Sequence, residues 1–172
     1  MKIRPVQRKD FPQIFDLYMR GYDEAAKDRN FGDINRLKKP ERKVMKPWSS
    51  KLYSEIKEGN IIYLVAEDRG KVIGFCFAKK IDVPDSEISH VANLGIRVTT
   101  EMRGKGIGTE LLREIIRRSR GKFDILDLNV MAINKGAERL YRKFGFVKWG
   151  TAPGYVKRKG RYIDQDHMSL KL

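Results

Sequence analysis

The sequence predicts an α/β fold: a mixed, mostly antiparallel sheet of about seven strands with a central parallel pair, flanked by about four helices. Three observations lead there. Between Asn93 and Val130 a strand, a glycine loop, an amphipathic helix and a second strand follow one another, a βαβ unit whose two strands must run parallel and right-handed. On either side of that unit, apolar runs are joined by the short polar turns Glu67-Asp68-Arg69-Gly70 and Lys157-Arg158-Lys159-Gly160-Arg161, the pattern of antiparallel hairpins. Three other stretches repeat apolar residues at helical spacing.

Taken in order, Ile3 to Val6 reads as a first strand. Asp10 is a good N-cap with Pro12 in the first turn, and Phe11, Ile14, Phe15, Tyr18 and Tyr22 form one helical face. Asp23 to Lys46 carries eight basic and five acidic residues and is too long for an ordinary connection. Pro47 opens a second helix with Trp48, Leu52 and Ile56 four apart, ended by Gly59-Asn60. Ile61 to Ala66 and Lys71 to Lys79 form a hairpin, and a strand from Glu87 or Ile88 to Val98 follows. Next comes a helix with Ile107, Leu111, Leu112, Ile115 and Ile116 on its buried side, supported by the Glu114–Arg118 pair. Leu126, Leu128 and Val130 alternate with Asp127 and Asn129 in the next strand. Asn134 caps a helix with Ala137, Leu140, Tyr141 and Phe144 inward, and Phe146 to Thr151 and Tyr162 to Leu172 close the sheet.

With 172 residues the chain is expected to be one domain over 1–172, burying about 70% of its unfolded surface. A single cysteine, Cys76, excludes an internal disulfide and a thiolate metal site, and its place between Phe75 and Phe77 reads as core. With two histidines, no metal site is expected. No run approaches the length of a membrane span and the N-terminus lacks a signal-peptide apolar region, so the expectation is a cytoplasmic protein without a membrane role. The net charge of +15 implies attraction to anions, whether coenzyme A, nucleic acid, the ribosome or an anionic membrane surface, and does not choose between them.

The chemistry concentrates in Arg103-Gly104-Lys105-Gly106-Ile107-Gly108, just ahead of the third helix. A new helix leaves its first N–H groups unpaired and carries partial positive charge at that end. Glycines before it remove the Cβ atoms that would keep a phosphate away. A Walker A loop is absent, since no Gly-Lys is followed by Ser or Thr. The spacing G-x-G-x-G differs from the dinucleotide fingerprint G-x-G-x-x-G, although Asp124 and Asp127 lie about 20 residues on, where that motif wants an acid. A glycine turn without a ligand is the remaining alternative. Arg103, Gly106 and Gly108 do match Arg-x-x-Gly-x-Gly, and in this the chain resembles the GCN5-related N-acetyltransferases (GNAT superfamily).

A second motif of the same superfamily, N-x-x-A-x-x-x-Y-x-x-x-G-F, is matched by Asn134, Ala137, Tyr141, Gly145 and Phe146, about 25 residues further on. Spacings of three and four place Asn134, Ala137 and Tyr141 on one helical face. The resemblance implies a parallel pair splayed to admit acetyl-CoA as co-substrate, with the strand Ile96, Arg97, Val98 pairing with its pantetheine arm. It implies a pyrophosphate cradle from Arg103, Gly104, Lys105, Gly106, Ile107, Gly108 and Thr109, and contacts from Asn134, Ala137, Tyr141 and Lys143. Gly95 would suit a bulge in the first of the two strands. The implied activity is direct attack of a primary amine on the thioester, with Tyr141 protonating the departing thiolate.

Many relatives carry a glutamate where this chain has Asn93, and an amide cannot take a proton. Glu87, His90 or a water chain are the candidate substitutes. The acceptor is a protein α-amine, a protein lysine or a small amine. A non-catalytic CoA- or RNA-binding module is the alternative, a dinucleotide-binding protein a more distant one, and the expected assembly is a monomer or homodimer.

Overall fold

The computed structural model describes residues 1–27, 39–81 and 87–172. Among them seven strands form one sheet in the order β1-β2-β3-β4-β5-β7-β6. The strands are β1 (Lys2–Pro5), β2 (Ile61–Asp68), β3 (Lys71–Lys80), β4 (Val91–Val98), β5 (Ile125–Met131), β6 (Val147–Arg158) and β7 (Arg161–Lys171). The helices are α1 (Phe11–Lys27), α2 (Met45–Lys57), α3 (Ile107–Ser119) and α4 (Lys135–Lys143). All neighbouring pairs are antiparallel except β4–β5. The mixed α/β class, the strand number and the single parallel pair follow the sequence prediction.

Side-chain alternation gives the sheet two apolar faces. Leu64, Cys76, Ala92, Leu94, Leu126, Leu128 and Met168 pack against α3 and α4, through Leu111, Leu112, Ile115 and Tyr141. Tyr63, Val65, Val72 and Phe75 pack on the other side against α1 and α2, through Phe11, Ile14, Leu17 and Leu52. Burial pushes the Cys76 thiol far up from its ordinary range, consistent with a packing role.

Several boundaries differ from the sequence prediction, each for a visible reason. Helix α1 starts after a 3-10 turn, Arg8–Asp10. Asp10 reaches back, accepting from Gln7 N–H at 2.7 Å and from Arg4 at 2.7 and 2.8 Å. At its other end α1 continues through Asp23 to Lys27, shortening the long polar segment, whose residues 28–38 lie outside the described residues. Strand β4 begins at Val91, not at 87 or 88, because Val91 N–H and the His90 ring both turn back onto the 87–90 turn. Strand β6 runs on to Arg158, absorbing Pro153 and Gly154 in a register shift between Ala152 and Val156.

The site is set by one interruption. Strands β4 and β5 pair over three rungs, Val91↔Ile125, Ala92↔Leu126 and Asn93↔Asp127, and then part. Both strands continue, to Val98 and Met131, so the sheet opens into a V with Asn93 and Asp127 at its vertex.

Candidate active site

The open end of the V leads into a cavity of about 620 Å³, walled by β4 from Leu94 to Val98, the loop 102–106, the start of α3, Asn129 and Val130 of β5, and α4. Thr99 N–H donates to Ile73 O on β3 at 2.9 Å, and His90 O accepts from Asp124 N–H on the β5 side at 2.9 Å. Two-residue alternation along a strand therefore directs the backbone groups of Gly95 and Arg97 to β3, and those of Leu94, Ile96 and Val98 into the V. Among the described residues no strand meets this second set beyond Asn93, which leaves a half-ladder for an extended ligand.

At the outer end, Gly104 and Gly106 have φ of 73° and 81°, the left-handed region that favours glycine. A Cβ at either would meet nothing within 4 Å, so these positions border open space. Gly106 is also the N-cap of α3. Its carbonyl takes the first helical bond from Glu110 at 3.1 Å, and the N–H groups of Ile107, Gly108 and Thr109 open onto the cavity wall. Such a helix end suits phosphate. Arg103 lines the same wall, donating to Val98 O at 3.3 Å and approaching Glu24 of α1 at 3.9 Å.

At the inner end α4 presents Asn134, Ala137 and Tyr141. Asn134 caps the helix, accepting from Ala137 N–H at 3.2 Å. Tyr141 is 6% exposed and its ring leans on Phe146 with centroids 5.7 Å apart. The motif spacing thus turns one helical face toward the opening.

Not every predicted site residue is brought here. Glu87 and His90 sit in the turn before β4, exposed and engaged with each other, His90 Nδ1 lying 3.0 Å from Glu87 O. They lie at the paired end of β4, eleven and eight residues before Val98, and neither lines the cavity. Arg97 contributes wall, but its side chain leaves the cavity, and its Nη1 donates to Leu17 O in α1 at 3.1 Å. Lys105 bonds Met102 Sδ at 3.6 Å, and neither it nor Lys143 lines the cavity. Asn93 stands at the vertex. Gly95 forms no bulge, since the β3–β4 register is unbroken; a Cβ there would lie 2.4 Å from the Phe77 ring, so the glycine makes room for that aromatic. The cavity also uses Leu94, Met102, Asn129, Gly136 and Leu140. Asn129 was visible in the sequence as a polar residue alternating through an apolar strand; the others carry no local signal.

A strand pair opened beside a glycine-capped helix is the arrangement that the resemblance to the GNAT superfamily implies. Residues 11–146 match the sequence model of the acetyltransferase (GNAT) family, and the chain belongs to that family. It is 35% identical over 109 residues to the L-amino acid N-acetyltransferase AaaT of Escherichia coli K12, covering 62% of this chain and 65% of that protein. The chain spans just under two thirds of the length of the first curated relatives it matches. Among solved structures it resembles a ribosomal-protein-alanine N-acetyltransferase from Brucella melitensis, with 25% identity, a TM-score of 0.86 and full coverage of both chains. It shares the fold of a phosphinothricin acetyltransferase from Sinorhizobium meliloti solved with acetyl-CoA, with 22% identity, a TM-score of 0.84, and 99% of this chain and 88% of that one covered.

Proposed function

We propose that this chain moves the acetyl group of acetyl-CoA to a primary amine by direct attack. The observation that carries the reading is the V itself: a three-rung parallel ladder opening onto strand groups that no second strand meets among the described residues, with helix donors at one end and a tyrosine at the other. The loop 103–109 holds the pyrophosphate, and the β4 groups of Ile96 and Val98 pair with the pantetheine amides. Acetyl-CoA supplies an activated thioester. Backbone N–H groups of β4 stabilise the oxyanion that attack creates. Tyr141 supplies the proton taken by the departing sulfur, and Asn93 orients the acceptor at the vertex. The names of the relatives acting on L-amino acids and on a ribosomal protein's alanine support an α-amine, free or N-terminal, as the acceptor. Use of acetyl-CoA supports a cytoplasmic location for the proposed reaction.

The test is calorimetric titration with acetyl-CoA, then a panel of amines scored by release of free thiol. The panel comprises the L-amino acids, spermidine, and peptides with a free N-terminal alanine or an internal lysine. Saturable binding and thiol release with at least one amine is the expected result. Binding without amine-dependent release overturns catalysis. Salt-sensitive RNA binding in its place points to the basic-module alternative.

A further inference from the structure

The family resemblance leaves the proton acceptor unassigned, because Asn93 stands where many relatives carry glutamate. The tertiary structure brings a carboxylate to the same spot from the other strand. Asp127 is the register partner of Asn93 on the last rung before the V opens. Leu126 and Leu128 on either side of it are buried under α3 and α4, so Asp127 faces the opposite side of the sheet. Asn93 faces that side too, since Ala92 and Leu94 are turned toward α3. The helices α1 and α2 cover β2 and β3 on this side, and their apolar cluster includes no residue of β5, β6 or β7.

Asp127 is held in place. Its Oδ1 accepts from Trp149 Nε1 at 3.1 Å, and the Trp149 ring leans on His167 with centroids 5.0 Å apart. Trp149 is 62% exposed, an indole whose N–H is spent on aiming one carboxylate. Around the vertex, Lys79 of β3 is tied to Glu55 of α2 at 2.7 Å, so these two charges answer each other. His167 of β7 stands beyond the indole. Among the described residues Oδ2 of Asp127 accepts no hydrogen bond, and it is the oxygen that can meet a donor on the face away from α3 and α4.

We infer that Asp127 receives the acceptor's ammonium group and takes its proton, in place of the glutamate missing at Asn93. The inference rests on the acetyl-transfer reading. The acceptor arrives as R–NH₃⁺ and gives one proton to the Asp127 carboxylate, which passes it to water. The freed lone pair forms the N–C bond at the thioester carbonyl while the C–S bond breaks. The nitrogen sheds its second proton to water, and the sulfur takes one from the Tyr141 phenol, which is restored from solvent. The products are one amide, one thiol and one proton released. The two strands place the lost and the substitute carboxylate on one rung, so the geometry of the transfer is kept while the residue changes.

The test uses the best amine of the panel above. Asp127→Asn keeps an oxygen for Trp149 and removes the charge. It is expected to lower kcat/KM for the amine at least about tenfold, the lower end of acid–base contributions, with acetyl-CoA affinity within about twofold. Adding Asn93→Glu to that variant moves the carboxylate one strand across and is expected to recover at least about threefold. Asp127→Asn with unchanged kcat/KM overturns the inference. So does a parallel loss of acetyl-CoA affinity, or a loss of activity that tracks thermal stability and is not recovered by Asn93→Glu. If acetyl-CoA binds and no amine is turned over, the acetyl-transfer reading itself falls; if amines are turned over equally by both forms, Asp127 alone does.

Discussion

Tyr141 combines two roles that a single substitution separates. Its ring is core, packed on Phe146, and its position on α4 lines the cavity. Tyr141→Phe keeps the ring, so stability should fall by only about 1 kcal/mol, the scale of one hydrogen bond. With the phenol gone, kcat should fall at least roughly tenfold and the KM for acetyl-CoA should hardly move, because the proton matters as the thiolate forms. Steady-state kinetics beside thermal melts check this. The phosphate cradle can be probed at Gly106, whose φ of 81° tolerates asparagine better than other side chains. Gly106→Asn should fold with little loss of stability yet weaken acetyl-CoA binding, since its side chain occupies space that is open now. Gly106→Glu adds a negative charge there and should abolish the ligand-induced rise in melting temperature.

At the scale of elements, the wall of the V depends on how β3 and β4 lie together. Phe77 is the cross-strand partner of Gly95 and its ring covers that residue. Gly95→Ala would force the ring aside or push β4 outward, and overpacking of this kind costs about 1–3 kcal/mol. Because the next residue, Ile96, points its backbone into the cavity, the variant should also raise the Kd for acetyl-CoA. Chemical denaturation and calorimetry on one preparation read both effects. Helix α1 is coupled to the same wall from the other side, through Arg97 to Leu17 O, Thr100 to Glu24 at 2.6 Å, and Lys159 of the β6–β7 turn to Ala26 O. The end of α1 therefore touches the last residues of β4, the glycine loop and the closing hairpin, three parts that converge around the opening.

At the scale of the whole molecule, a charge network among the described residues ties β1 to β2 and to the turn before α1. Arg4 of β1 bonds Asp10 and Glu67, Nη1 to Asp10 at 2.7 Å and Nε to Glu67 at 2.7 Å. Burial alone would raise the Asp10 carboxyl, but the Arg4 guanidinium and the Gln7 N–H hold it below the usual range. Arg4 likewise holds Glu67 down. A folded-state pKa below the unfolded one contributes stability that is fully present above the unfolded value, near 4, and is lost as pH falls through the folded value. Stability should therefore decline from about pH 5 downward. Asp10→Asn should remove part of that slope and cost about 1.5–3 kcal/mol at neutral pH, because the Arg4 guanidinium keeps Glu67 but loses its charged partner at Asp10. Urea midpoints between pH 3 and 7 measure both.

The periodicities of Phe11 to Tyr22, Ile107 to Ile116 and Leu126 to Val130, and the two glycine-bearing motifs, are local, and the sequence by itself determined from them the seven strands, the four helices, the βαβ unit and the position of the phosphate loop. Hydrophobic alternation, caps and turn glycines act over a few residues, so they can be read without neighbours. The extent of the parallel ladder was decided only by tertiary packing, because it depends on two strands separated by a whole helix. So was the direction of each backbone group on β4, set by pairing with β3: those of Ile96 and Val98 turn into the V and those of Arg97 toward β3, although Arg97 still forms part of the wall. In sequence Glu87 and His90 are candidate substitutes for the missing glutamate; in space they sit in the turn at the paired end of β4, and neither lines the cavity. Asp127 is 34 positions from Asn93 in the chain and one rung from it in the sheet; a register between strands is a property of the fold, and no spacing along the chain records it.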